Sequence, residues 1–276
     1  MRTLTPSPRV SPGAGTWFSL VRLSPEDIQP MLDLFRRGTD PRDLGRSIYA
    51  APRVDRYLVM LALDPRKGRY ERLWGLKDGN GRLVAAAHIR MLGEASHLNL
   101  LTVDPGLQGR GLGTWMLSRW DRMASLQGAS RQTLDVAEGN LGAQRMALRH
   151  GFTVTSRTWE FRHRGGVRPR ARTGILSGVV VRLWREAQDS YLTYGFGRFL
   201  LELDGRECQV DLAREFRVPD PDPRILAFLA RLDPGRGILL RTALPDPPGD
   251  WEATGSVFRM GKDVRDVPAS LAQPGA

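Results

Sequence analysis

The 276 residues read as a mixed α+β protein, and three observations lead there. Short apolar runs with period-two alternation recur along the chain, interleaved with segments of helical spacing. Asp78-Gly79-Asn80-Gly81 joins two of these runs as a hairpin signal, which argues for antiparallel pairing. The stretch "LNLLTVDPGLQGRGLGTWML" (98–117) passes from a buried strand through a glycine-rich turn into a helix.

Taken in order, "TWFSLVRL" (16–23) alternates like a strand. "SPEDIQPMLDLF" follows with Ser24 at an N-cap, Pro25 at the first helical position and acids in the first turn, so it opens a helix. "VDRYLVMLAL" (54–63) is a second helix, and "ERLWGLKDGNGRLVAAAHIRM" carries the two hairpin strands. Next come the strand "HLNLLTV", the glycine turn, and a helix with Met116, Leu117, Trp120 and Met123 on one face. "QTLDV" (132–136) is a short strand, "NLGAQRMALRH" a helix stopped by Gly151 at C′, and "FTVTSRTWEFRHR" a returning strand. The predicted order is β-α-α-β-β-β-α-β-α-β over residues 16–164. A Gly/Pro/Arg linker (165–173) precedes a smaller α+β module (174–265), with a hairpin, the helix "PRILAFLARL" and two further strands. Residues 1–15 read as a disordered leader and 266–276 as a disordered tail.

A chain that is 41% hydrophobic at this length supports one large core or two smaller ones. No run approaches the ~18 apolar residues of a membrane span, and the N-terminus has no apolar core of a secretory signal. Cys208 is the only cysteine, so no intrachain disulfide forms; this suits the reducing cytoplasm, and its place in a strand-like run reads as a small core residue. The net charge of +11 is uneven: residues 1–165 hold 25 Lys+Arg against 15 Asp+Glu, and the remainder 16 against 15. That excess fits any polyanionic ligand, a nucleotide-like one included. The basic residues are scattered rather than clustered, which argues against a nucleic-acid patch.

The glycine turn has no Gly-Lys-Ser/Thr, so it is not the loop of a phosphate-binding NTPase. Thr114 fills the last glycine slot of a dinucleotide fingerprint. What stands there is Q-x-x-G-x-G: Gln108, Gly109, Arg110, Gly111, Leu112, Gly113. With this string the sequence resembles the GCN5-related N-acetyltransferase family, whose acetyl-CoA loop has that form. "NLGAQRMALRHGF" (140–152) resembles the family's second CoA-side motif, an Asn opening a helix that ends in Gly-Phe twelve residues later. The resemblance covers residues 16–164 and implies a mixed, splayed central sheet flanked by helices. It leaves the C-terminal module unassigned: a degenerate acetyltransferase half, a lid and a dimerisation element all remain open, the last implying a homodimer. That module has no Q-x-x-G-x-G, so no second CoA site is expected.

The implied cofactor is acetyl-CoA, acting as acyl donor to an amine-bearing acceptor, with no metal. Backbone N–H groups of Gly109, Arg110, Gly111, Leu112, Gly113 and Thr114 would face its pyrophosphate at a helix N-terminus, with glycine keeping Cβ atoms away. Gln108 belongs to the same loop, and Arg110 would add a charge-assisted contact or stand as a solvated surface residue. Leu101, Thr102 and Val103 would pair with the pantetheine arm, and the Leu101 N–H would stabilise the developing oxyanion. Asn140 would bond the pantetheine, cap its helix, or both. All these motifs precede residue 153, so acetyl-CoA is expected to bind the N-terminal domain alone.

An amine with a pKa near ~10 is mostly protonated at neutral pH, so a group must remove its proton before attack. Strand alternation puts His97, Asn99, Leu101 and Val103 on one strand face, where His97 is the only residue able to titrate near neutrality. The string "SHLNLLTV" resembles the arylalkylamine acetyltransferase branch, which has His at both corresponding places; here the second is Asn99. His97 is therefore the candidate base, with a purely structural role as the competing reading and Glu94 behind it. His88 and His163 read as structural or surface residues. Seven residues after Asn140, where many members of the family place a Tyr as general acid, stands Ala147. The leading reading is an N-acetyltransferase using direct attack in a ternary complex. The alternatives are a CoA-binding regulator without turnover, favoured by Ala147, and a basic nucleic-acid-binding protein that retains the fold.

Overall fold

The computed structural model describes residues 9–10, 17–51, 53–64, 71–163, 179–183, 197–203, 206–212, 215–219, 221–246 and 249–264. The proposed linker (165–173), the tail (266–276) and most of the leader lie outside these residues. The chain divides into two compact units: residues 1–40, 58–155 and 259–276 form one, and residues 41–57 and 156–258 the other. No helix among the described residues is long and apolar enough to cross a membrane.

In the first unit, Arg9–Val10 (β1) pairs with Phe18–Arg22 (β2), so this part of the leader is strand. The chain then turns through Pro25–Asp27 into helix α1 (Ile28–Gly38). The backbone N–H and the hydroxyl of Ser24 both donate to Asp27 Oδ2, at 3.1 and 2.8 Å, and fix this entry. Pro41–Arg46 (α2), a short helix that the sequence reading did not anticipate, belongs to the second unit, and Val54–Leu63 (α3), the helix expected there, passes from the second unit into the first at Leu58.

Glu71–Lys77 (β3) and Leu83–Leu92 (β4) form the hairpin, whose turn is held by Asp78 accepting from the N–H groups of Asn80 and Arg82. Ala95–Val103 (β5) runs antiparallel to β4. Helix α4 (Leu112–Leu126) crosses over to Arg131–Ala137 (β6), which is parallel to β5. Because α1 and α4 both pack on β4, its run from Leu83 to Ile89 is buried throughout, as a central strand covered on both faces requires. Helix α5 (Leu141–Arg149) ends at Gly151, whose φ of +86° suits a C′ glycine; Phe152 then stacks on Trp120 of α4 at 5.7 Å.

Thr153–His163 (β7) starts in the first unit and continues into the second, so one boundary between the two compact units falls within this strand. The last strand, Trp251–Asp263 (β13), makes the opposite passage. Its end lies between β6 and the start of β7: Val264 N donates to Ser130 O, and Thr153 Oγ1 to Gly261 O.

In the second unit, Val179–Leu183 (β8), Gly197–Leu203 (β9), Arg206–Leu212 (β10) and Phe216–Val218 (β11) form an antiparallel meander. Helix α6 (Pro223–Leu232) then leads to Ile238–Thr242 (β12), parallel to β11. Cys208 is buried beside Phe161, Val210 and Leu229, a core residue as expected. The step β11–α6–β12 repeats the connectivity of β5–α4–β6. Its turn, however, carries Pro219, Asp220, Pro221 and Asp222 where the other carries glycines.

Candidate active site

Strands β5 and β6 pair only from Ala95↔Arg131 to Leu98↔Leu134, although both continue beyond these rungs. The cause lies on the other edge of β5. Its register with β4 jumps from Ile89↔Leu98 to His88↔Leu100, which leaves Asn99 as an extra, bulged residue. A bulge bends its strand and increases the local twist, and here the two strands fork past it.

The polar groups at the fork follow from backbone alternation. Asp104 N donates to Val84 O on the β4 side at 2.8 Å. The N–H and C=O groups of Val103 and Leu101 therefore point the other way, into the fork. Gln108 Nε2 donates to Val103 O at 3.2 Å, so this side chain closes the loop onto the strand end.

The bulge also overturns one sequence expectation. Ser96 accepts from Trp120 Nε1 of α4 at 2.7 Å, and Leu98 and Leu101 line one apolar crevice with Met116, Leu117 and Trp120. Thus even-numbered residues face α4 before Asn99 and odd-numbered ones after it. His97 does not share a face with Leu101 and Val103; it lies on the opposite face, the side where Thr102 meets Gly38 of α1. Unbroken alternation could not show an inserted residue.

The glycine turn is built with divided labour. Gly109 and Gly111 have φ of +77° and +80°, conformations that glycine adopts without strain, and the space around both is open. Gly113 has a further constraint: a Cβ there would come within 2.9 Å of Met146 Sδ on α5. Among the described residues, none accepts from the N–H groups of residues 109 to 114. Six such donors at the start of a fifteen-residue helix are an arrangement able to receive an anion. The nearby Asp104 carboxylate caps Gly106 N and lies 4.0 Å from Arg37 and 3.7 Å from Arg82, which offset its charge. Arg110 is exposed. Asn140 Oδ1 accepts from Ala143 N at 3.0 Å, so its capping role is present.

His97 is 8% exposed, and its Nδ1 lies 2.9 Å from Thr133 Oγ1. Burial pushes its pKa from 6.5 down to about 4; Asp135 opposes the shift, while Arg259, Arg90 and His88 add to it. These groups are engaged elsewhere: Arg90 and His88 with Glu71, and Arg259 with both carboxylate oxygens of Asp135. Glu94 stands apart, exposed in the β4–β5 turn beside Ser130. Ala147 is 1% exposed, too enclosed for an aromatic side chain without displacing its neighbours. His88 is fully buried, and His163 packs edge-on against Trp251. Thr133 is the site residue that sequence reasoning missed: its contact spans 36 positions and depends on the β5–β6 register, which no local pattern encodes.

The family profile described as the acetyltransferase (GNAT) family matches residues 40–152. No curated protein sequence matches the chain significantly. Among solved structures, a putative acetyltransferase from Pyrococcus horikoshii is 17% identical with a TM-score of 0.58, covering 89% of each chain. A GCN5-related N-acetyltransferase from Sphaerobacter thermophilus is 14% identical at 0.58, covering 94% of this chain and 97% of its own. A tandem GNAT protein from the clavulanic acid biosynthesis pathway is 15% identical at 0.58, covering 94% of this chain and all of its own. At these identities the likeness is one of fold, and it extends through the C-terminal module. Residues 40–152, which carry the fork and the glycine turn, match the GNAT acetyltransferase family as a domain.

Proposed function

We propose that this protein transfers the acetyl group of acetyl-CoA to an amine by direct attack in a ternary complex. One observation carries the reading: the fork beyond Leu98, with Leu101 and Val103 turned into it, runs directly into six unpaired N–H groups at the head of α4. The loop from Gly109 to Thr114 would take the pyrophosphate. The fork edge of β5 would pair with the pantetheine arm, and the Leu101 N–H would meet the thioester oxygen as negative charge develops on it. Asn140, already capping α5, keeps its amide N–H groups for the arm.

The proton is governed by His97. An ordinary amine near ~10 does not protonate a group whose pKa is about 4. The gap of about six pKa units corresponds to about 8 kcal/mol. The amine therefore enters uncharged, and His97 takes its proton only as attack places positive charge on the nitrogen. The thiolate leaves with the electrons of the C–S bond, unaided by a Tyr at position 147; thiols near ~8.5 make tolerable leaving groups.

The buried Ala147 favours one second reading, a CoA-binding regulator without turnover. The two separate in one experiment. Acetyl-CoA is titrated by calorimetry, and thiol release is followed with aminoglycosides, polyamines, arylalkylamines, amino acids and peptide N-termini. Transfer predicts binding together with amine-dependent thiol release. Binding with no release across the panel would establish the regulator, and absence of binding would remove both. Unit two repeats the βαβ connectivity of unit one with a Pro/Asp turn, which supports reading it as a degenerate acetyltransferase half: a carboxylate repels the phosphates that a glycine turn receives.

A further inference from the structure

We infer that Thr133 is a positioning residue for this proton transfer: its hydroxyl holds Nδ1 of His97, so that Nε2 is the nitrogen presented to the acceptor amine. The inference rests on the reading of His97 as proton acceptor.

Thr133 and His97 are each 8% exposed, and the 2.9 Å contact between Oγ1 and Nδ1 has little water to compete with it. They are register partners in the parallel ladder, one rung before the last pair, Leu98↔Leu134. The tether thus stands where the two strands begin to part, and it stops the ring from turning about its side-chain axis.

The surrounding charges do not perform this task. The groups acting on the ring are Asp135 on β6, Arg259 on β13, and Arg90 and His88 on β4. Arg259 engages Asp135, and Arg90 and His88 engage Glu71. Among the described residues, the hydroxyl of Thr133 is the hydrogen-bond partner of the imidazole.

A neutral imidazole has one N–H donor and one lone-pair acceptor. With Nδ1–H donating to Thr133 Oγ1, the lone pair is on Nε2. In the reaction the amine lone pair forms the new C–N bond, and the C–S pair departs on sulfur. The N–H proton goes to Nε2, while Nδ1 keeps its own proton on Thr133 throughout.

The test uses the full chain, acetyl-CoA and an amine that supports thiol release. Thr133→Val should lower kcat about 10–100-fold, the scale of a misplaced reacting group, while KM for acetyl-CoA stays within about 2-fold. Thr133→Ser should retain most of kcat, because it keeps the hydroxyl. Imidazole ¹⁵N spectra of the wild-type protein at neutral pH should show His97 with its proton on Nδ1, and Thr133→Val should erode that preference. A wild-type ring protonated on Nε2 would overturn the assignment whether or not the variants fold. So would an unimpaired Thr133→Val beside an impaired His97→Ala, and this leaves the role of His97 standing. An unimpaired His97→Ala would instead remove the underlying reading, and the positioning role with it.

Discussion

At the scale of single residues, the environment of His97 matters more than its identity. A histidine on a strand near a fork reads as a group titrating around neutrality, yet burial holds this one neutral down to about pH 4. The activity prediction changes accordingly. His97→Ala should lower kcat by about 10²–10⁴-fold, the usual contribution of a positioned proton acceptor. The acidic limb of the wild-type profile should follow a group near 4 rather than 6.5, and it should be absent in the variant. Stability has the same origin. Between 6.5 and about 4 the folded chain binds fewer protons at His97 than the unfolded chain does, so stability rises with pH across this window. It is lost as pH falls through the window, by about 3 kcal/mol in full. Denaturant melts of wild type and His97→Gln from pH 7 to 4 check this: the wild type should lose the larger share. Parallel curves would mean that the imidazole is not held neutral by its surroundings.

At the scale of elements, what local chemistry specifies was legible and what register specifies was not. The helix over 54–63, the hairpin at Asp78–Gly81 and the strand–turn–helix at 98–117 each follow from caps, turn residues and periodicity, and each forms where expected. The bulge at Asn99 escaped because it is defined only by which residues of β4 stand opposite β5; with it went the face on which His97 lies, and Thr133. The glycine turn was legible as a motif, but its three glycines do two jobs, and substitution should separate them. Gly111→Val forces a β-branched residue to a φ of +80° in open space, which should cost about 1–3 kcal/mol locally and weaken acetyl-CoA binding at least 10-fold. Gly113→Ala puts a Cβ against the flexible sulfur of Met146, so it should shift thermal stability modestly and acetyl-CoA affinity little. Calorimetric Kd values beside melting curves decide the matter. A Gly111→Val protein that melts normally and binds normally would make the loop a simple turn.

At the scale of the whole molecule, the course of the last strand bears on the expectation that an N-terminal fragment suffices for acetyl-CoA. Residues 259–276 belong to the first unit, and the end of β13 lies between β6 and the start of β7, so a chain ending near residue 166 loses an internal strand. It also loses Lys262, whose Nζ lies 2.8 Å from Asp121 Oδ1 and donates to His150 O at 3.2 Å. Asp121 is 1% exposed, with His150 Nε2 at 2.7 Å from its other oxygen. Burial alone would raise its pKa; the contacts with His150 and Lys262 outweigh burial and hold it below 3.8. The carboxylate therefore stays charged inside the fold and depends on a residue some 140 positions later in the chain. Removing one partner of a buried pair typically costs about 3–5 kcal/mol, because the other charge remains without compensation. Lys262→Met should thus lower the melting temperature sharply, and Asp121→Asn combined with Lys262→Met should recover part of the loss by removing the stranded charge. A chain ending at residue 166 should show neither a cooperative melt nor an acetyl-CoA-induced thermal shift. A fragment of that length that folds and binds acetyl-CoA with the full-length Kd would show that β13 is dispensable to the acetyltransferase unit.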